Sequence, residues 1–184
     1  MGSFGMNRSG IETLYQGKHL NLVRADRWEY ATRVGASGVV GILAVTPERK
    51  LLLVEQYRKP VDRHVIELPA GLAGDRADAQ DEALAVAARR ELLEETGYDA
   101  DRFELLSRGP SSAGLTDETV VLYRAYNLKK VSAGGGDATE DIVVHEVPLN
   151  IAGKWLADRA KGNRLIDFKV FAGLWFIEHE DWSK

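Results

Sequence analysis

From Asp81 to Thr96 the chain reads as one helix, because Ala, Leu, Glu and Arg dominate it and it stops at Gly97, the residue type favoured at a left-handed C-terminal turn. Asp78 or Asp81 is placed to cap its start. Any fold of this chain must accommodate that helix. Two apolar runs come before it, Gly38 to Val45 and Lys50 to Glu55, separated by Thr46, Pro47, Glu48 and Arg49 in a hairpin-like connection. Both runs read as buried central strands. Further upstream, His19 to Val23 and Trp28 to Val34 alternate in the strand period. Residues Gly71 to Gln80, with two glycines and two aspartates, mark a loop.

Beyond the helix, Phe103 to Ser107, Thr119 to Asn127 and Asp141 to Val147 read as strands, and Val131 to Asp137, with three consecutive glycines, as a flexible loop. A last helix spans Phe168 to His179 with Phe168, Phe171, Leu174 and Trp175 at helical spacing, and that aromatic face reads as core. No internal repeat or interdomain linker is visible. With 184 residues the chain suits one domain, over 11–184, behind a Gly-rich tail over 1–10.

Composition narrows the chemistry. The absence of cysteine removes disulfides, thiolate nucleophiles and cysteine-bound zinc, so a metal site must use oxygen or imidazole ligands. A formal charge of -4 gives no global attraction to nucleic acid or anionic lipid. No apolar run approaches the roughly 20 residues of a membrane span, and MGSFGMNRSG contains no hydrophobic signal segment, so the expectation is a cytoplasmic protein with neither nucleic acid nor membrane as partner.

Chemistry concentrates on the helix. Glu91, Glu94 and Glu95 stand at offsets of three and four, which puts their side chains on one face. Like charges at these spacings repel by a few tenths of a kcal/mol each. A hard divalent cation offsets that cost; the bland alternative is a solvated acidic face. Arg90 can pair with Glu94 one turn on and fix its rotamer. Glu82 projects to the opposite side at this pitch and suits the helix start rather than a metal. The four histidines, His19, His64, His145 and His179, have no metal-ligand spacing and read as structural.

The segment Glu82, seven residues, then Arg90-Glu91-Leu92-Leu93-Glu94-Glu95-Thr96-Gly97-Tyr98 resembles the second half of the Nudix box. Where the family places its initial glycine this chain has Arg76, and Gly71 in Leu68-Pro69-Ala70-Gly71 is the apparent equivalent, with about five residues inserted before Glu82. Glu55-Gln56-Tyr57-Arg58, Glu67-Leu68-Pro69-Ala70-Gly71 and Gly114-Leu115-Thr116-Asp117-Glu118 are similar to segments of the branch that hydrolyses ADP-ribose and related nucleotide sugars, with Ala113 in place of that branch's proline. Glu140-Asp141-Ile142, ahead of His145, looks like its late acidic loop.

The resemblance implies an α/β protein, an α/β/α sandwich around a mixed sheet with the box helix on one side and the C-terminal helix on the other. It implies Mg2+, with Mn2+ as a substitute, held by Glu91 and Glu95, with Glu94 sharing and the Ala70 carbonyl completing the shell. Glu140 is the candidate base, or else a solvated loop carboxylate. Arg58 is placed to grip a diphosphate bidentately, Arg33 is a weaker candidate of the same kind, and Glu118 suits the outer metal shell or the substrate. Trp28 either stacks on a nucleobase or packs as a partly buried side chain. An N-terminal strand region over 11–35 that pairs across a homodimer is implied as well. Hydrolysis of dinucleoside polyphosphates or nucleoside triphosphates, and a non-catalytic nucleotide sensor, stand as the alternatives.

Overall fold

The computed structural model describes residues 10–74, 83–136 and 141–179. The chain begins with β1 (Ile11–Gln16), β2 (Leu20–Ala25) and β3 (Trp28–Arg33), a three-stranded antiparallel meander. Then come β4 (Gly38–Ala44), β5 (Lys50–Arg58), β6 (Arg63–Glu67) and β7 (Ala70–Ala73), followed by α1 (Leu84–Thr96). The rest is β8 (Tyr98–Asp99), β9 (Arg102–Pro110), β10 (Thr119–Tyr126), β11 (Lys129–Lys130), β12 (Val143–Pro148), α2 (Ala152–Lys161), β13 (Leu165–Ile166) and α3 (Phe168–Glu178).

Two four-stranded sheets, each with one parallel pairing, form the centre. Their orders are β7-β4-β10-β9, with β10 parallel to β4, and β12-β5-β6-β13, with β13 parallel to β6. The expected single mixed sheet is therefore divided. The division falls at the expected hairpin: β4 and β5 meet in a bridge between Val45 and Leu51, then join different sheets. Thr46 closes the turn, its N–H donating to the Lys50 carbonyl and its carbonyl accepting from Arg49. Both strands are buried because each is an inner strand flanked on both sides.

Strand alternation sends side chains to two cores. Val40, Ile42 and Ala44 pack against Ala87, Ala88 and Leu92 of α1. Leu43 turns the other way and joins Leu51, Leu53, Ile66, Leu156 of α2 and Val170 of α3. Helices thus cover the sheets from both sides, the α/β/α layering expected. No helix among the described residues is long and apolar enough to cross a membrane.

Several local readings change. The N-cap of α1 is Ala83, with no side-chain cap; Asp78 and Asp81 lie outside the described residues. Gly71 belongs to β7, not to a loop, because Ala70–Ala73 pairs with β4 in the register Val40 to Gly71. Helix α2 has only Ala152 and Leu156 fully buried. Helix α3 turns three of its aromatics outward, with Phe168 86% exposed and Phe171 and Trp175 exposed too, while Leu174 of the expected face packs on the core beside Phe176. It seats most deeply through Val170 and Gly173, where an added Cβ would stand 3.0 Å from Leu43 Cδ1, with Leu174, Phe176 and Ile177 packed around them.

Candidate active site

Helix α1 presents its carboxylates to the turn that leads from β6 into β7. Glu95 is 3% exposed, and its Oε2 accepts a hydrogen bond from the Ala70 N–H at 3.0 Å. The Glu91 side chain occupies the space that a Cβ on Gly71 would fill, 1.9 Å from Glu91 Cδ. Glycine is required there for close approach, not for conformation, since Gly71 is not among the positive-φ residues. Arg90 ties the face together: Nη1 donates to Glu91 Oε1 at 2.8 Å and to Glu94 Oε2 at 3.2 Å, while Nη2 donates to the Leu72 carbonyl at 2.8 Å. The bond to the neighbouring Glu91 was not read from the sequence, because adjacent residues on a helix do not normally face each other.

Among the described residues no three His, Asp or Glu side chains gather into a ready-made cage for a metal ion. Glu91, Glu94 and Glu95 nevertheless offer an all-oxygen donor set on one helix face beside the Ala70–Gly71 backbone. Such a set fits a hard cation that keeps most of its waters and is completed by phosphate.

A glycine clasp holds the C-terminal end of α1. Gly97 is left-handed at φ 74° and its N–H returns to the Leu93 carbonyl. The segment expected to be a flexible loop docks here: Gly135 and Gly136 donate to the carbonyls of Glu95 and Glu94 at 2.8 and 3.0 Å, and Val131 and Ser132 donate to the Gly97 carbonyl. Carbonyls left over at the helix end are thereby satisfied. An added Cβ on Gly134 would stand 2.3 Å from the Thr96 carbonyl carbon, so backbone meets backbone. Glu82 and Glu140 lie outside the described residues.

Arg58 at the end of β5 reaches along the β5–β6 pair to Glu67, its Nε donating to Glu67 Oε2 at 2.7 Å. Both line a cavity of about 780 Å³ between the two sheets and the start of α3. Arg33 Nε donates to Glu118 at 2.8 Å, and Thr32 donates to Asp117, so the meander is fastened to the 115–118 segment. Arg33 and Glu118 are therefore brought to each other. Trp28, 55% exposed, stands where β2 turns into β3, and no contact among the described residues links it to the carboxylates.

Two polar clusters escaped the sequence reading. Glu55 is buried beside His145 Nε2 and Arg164 Nε, each 3.0 Å away, with His64 at 3.6 Å. Burial pushes its carboxyl up, but the bonds from His145 and Arg164 outweigh it and hold Glu55 below its ordinary value. Of the four histidines, His145 and His64 lie beside this glutamate, and His179 Nδ1 lies 2.9 Å from the Trp175 carbonyl oxygen. Glu146 accepts from Lys130, Tyr98 and Lys50; these bonds, led by that from Lys130, hold its carboxyl down at about 2. Tyr98 is raised to about 12, chiefly by its own burial. A carboxylate inside an apolar strand gives no sequence signal of its partners when these come from strands and loops far along the chain.

A family model described as the NUDIX domain matches residues 37–164. The chain is 34% identical over 145 residues to the methanol dehydrogenase activator of Bacillus methanolicus, covering 78% of this chain and 74% of that one. It is 37% identical over 123 residues to ADP-ribose pyrophosphatase of Bacillus subtilis, over 66% of this chain and 64% of that protein. To GDP-mannose pyrophosphatase of Yersinia enterocolitica it is 32% identical over 145 residues, 74% and 73% of the two chains. A crystal structure of an ADP compounds hydrolase aligns with a TM-score of 0.62 over 80% of both chains at 20% identity, a likeness of fold. With most of its length matched by the family model, and the box carboxylates seated on the β6–β7 turn, this chain belongs to the Nudix family.

Proposed function

We propose that this Nudix protein hydrolyses the diphosphate bond of nucleoside-diphosphate sugars, converting ADP-ribose into AMP and ribose 5-phosphate, with Mg2+ as its metal. The observation that carries the reading is the seating of Glu91 and Glu95 against Ala70 and Gly71 at the start of β7, a few residues along the chain from Glu67, which lines the cavity with Arg58. Bound cation supplies charge neutralisation on the phosphate oxygens and an acidified water. Glu91 and Glu95 hold it with Glu94 and the Ala70 carbonyl, and Arg90 keeps Glu91 and Glu94 in place. Arg58 pairs with the substrate's diphosphate. Water adds to one phosphorus, the bridging P–O bond breaks, and the water's proton passes to a base for which Glu140 is the candidate. Names borne by the relatives, two of them pyrophosphatases of nucleotide sugars, support the substrate class.

The same reading includes a homodimer joined through β1–β3. In support, Leu14, Tyr15, Leu20, Leu22 and Trp28 are exposed on that sheet, and Val23 is its one fully buried residue. Three strands showing this much apolar surface gain stability from a cover. A gel-filtration mass near 20 kDa at micromolar concentration would remove the dimer.

The test is a hydrolysis panel of ADP-ribose, GDP-mannose, UDP-glucose, diadenosine tetraphosphate and ATP with and without Mg2+, with Glu95→Gln as control. Release of nucleoside monophosphate and sugar phosphate, lost in the variant, is the expected result. Cleavage of only a polyphosphate overturns the substrate class, and an inert panel points to a sensor.

A further inference from the structure

We infer that the Gly134–Gly136 clasp is a positioning element for the carboxylates of α1, so that cation affinity at Glu94 and Glu95 is set in part by a segment some forty residues further along the chain. The inference rests on the divalent cation of the reading above and adds what holds its ligands. Helix polarity poses the difficulty. Aligned peptide dipoles leave the C-terminal end of a helix partly negative, where a carboxylate is disfavoured and a cation favoured. Glu94 and Glu95 lie in the last turn of α1, Glu91 lies one turn before them, and that last turn holds no basic residue. The final carbonyls of a helix also lack partners within it, so an end without a cap frays. Fraying here would carry Glu94 and Glu95 away from Ala70 and Gly71.

The clasp meets both difficulties with backbone alone. Gly135 donates to the Glu95 carbonyl at 2.8 Å and Gly136 to the Glu94 carbonyl at 3.0 Å, while Val131 and Ser132 donate to the Gly97 carbonyl. Four N–H dipoles thus point at the negative end of the helix, a place often taken by a lysine or arginine side chain. Glu95 is held at two points, its own carbonyl by Gly135 and its carboxylate by the Ala70 N–H. Contact this close needs two backbones without Cβ atoms. An added Cβ would stand 2.2 Å from the Ser132 carbonyl oxygen at Gly97 and 2.3 Å from the Thr96 carbonyl carbon at Gly134. Gly134, Gly135 and Gly136 have φ of 71°, 109° and 80°, three consecutive residues in a region that L side chains rarely adopt. A connection from β11 to β12 requires no such run, whereas a cap on the carbonyls of Glu94 and Glu95 does. Closed clasp and bound cation therefore favour one another, and by linkage each raises the other by the same factor.

The test titrates Mn2+ into the full chain, counts the free ion by electron spin resonance, and uses Mg2+ as competitor and Glu95→Gln to mark the site. Gly136→Val puts a β-branched side chain at φ 80° and should weaken Mn2+ binding about tenfold or more, the loss typical of a residue that orients metal ligands. Gly136→Asn, whose side chain enters the left-handed region, should recover most of that affinity. A second measurement needs no substitution in the clasp. Mg2+ should slow hydrogen exchange at the Gly135 and Gly136 amides of the parent about tenfold, and should not do so in Glu95→Gln. Parent-like Mn2+ binding in Gly136→Val, equal weakening in the valine and asparagine variants, or exchange at Gly135 and Gly136 indifferent to Mg2+ overturns the inference and leaves the cation reading standing. A parent that binds neither Mn2+ nor Mg2+ removes the cation reading and this inference with it.

Discussion

Replacing Gly71 with alanine separates the architecture of the site from that of the fold. The new Cβ would lie 1.9 Å from Glu91 Cδ and 2.4 Å from Cγ, whereas ordinary contact begins at 3.4 Å, so the carboxyl must retreat by about 1.5 Å. A misplacement on the order of 1 Å in a catalytic group costs about 100-fold in rate, or about 2.7 kcal/mol of barrier. We therefore expect kcat/KM for ADP-ribose to fall by about 100-fold or more. Stability should hardly change. Gly71 has no left-handed backbone to strain, the atoms displaced are the far end of a side chain, and Arg90 keeps its bonds to Glu94 and the Leu72 carbonyl when Glu91 moves. Alanine also restricts the unfolded chain, which offsets about 0.4–1 kcal/mol. The melting temperature should stay within about 3 °C of the parent. Hydrolysis assays in saturating Mg2+ and a thermal melt on the same preparation suffice. Unaltered kcat/KM would refute the placement of Glu91 in the metal shell, and a melting temperature lowered by more than about 10 °C would show that the backbone, not the side chain, absorbs the clash.

Gly134→Ala meets backbone on one side and a φ of +71° on the other, so a loss of at least about 2 kcal/mol in urea unfolding is expected; a neutral substitution would mean the clasp is not closed. Leu92→Ala, at a fully buried position among Val40, Ile42 and Ala44, should cost about 2–5 kcal/mol by the same measure, and less than 1 would contradict its place in that core. Glu146 is held at about 2, below the unfolded value of about 4.3, so its stabilising contribution is complete above the unfolded value and is lost as pH falls toward 2. Urea midpoints of the parent and Glu146→Gln should thus differ at pH 7 and converge between about pH 4.3 and 2; a gap independent of pH removes the argument.

The box helix was legible because its two signals, composition and Gly97, are local. So was its carboxylate face, which needs only the pitch of a helix. The split of β4 and β5 into different sheets was not, since the turn over Thr46–Arg49 looks the same whether the second strand folds back onto the first or leaves for new partners. Helix α3 misled for a related reason. Its residues have the spacing of a core face, but Gly173 lets the helix sit close to Leu43 and Leu68, so that Val170 and Gly173 make the deepest contact, Leu174 and Phe176 pack beside them, and Phe168, Phe171 and Trp175 stay exposed. The Gly134–Gly136 run reads as slack when only its own residues are weighed. Its anchors are the carbonyls left over at the end of α1, some forty residues earlier.

The parallel pairing of β4 with β10 places Val39 beside Val120, about 80 residues away. Nearby units, the β1–β3 meander, the β9–β10 hairpin and a fluctuating α1, have partners close by and can form on microsecond timescales, but closing a loop of that length must precede any reward from the contacts it brings. Helix α1 lies inside the loop, and Ala70 and Gly71 take their position from the register of β7 on β4. The carboxylate face is complete only once β7 is in register on β4 and α1 has docked against both. A refolding chain held short of that step would carry every residue of the site and none of its geometry, so a ligand of the finished face slows unfolding and leaves the rate of folding untouched.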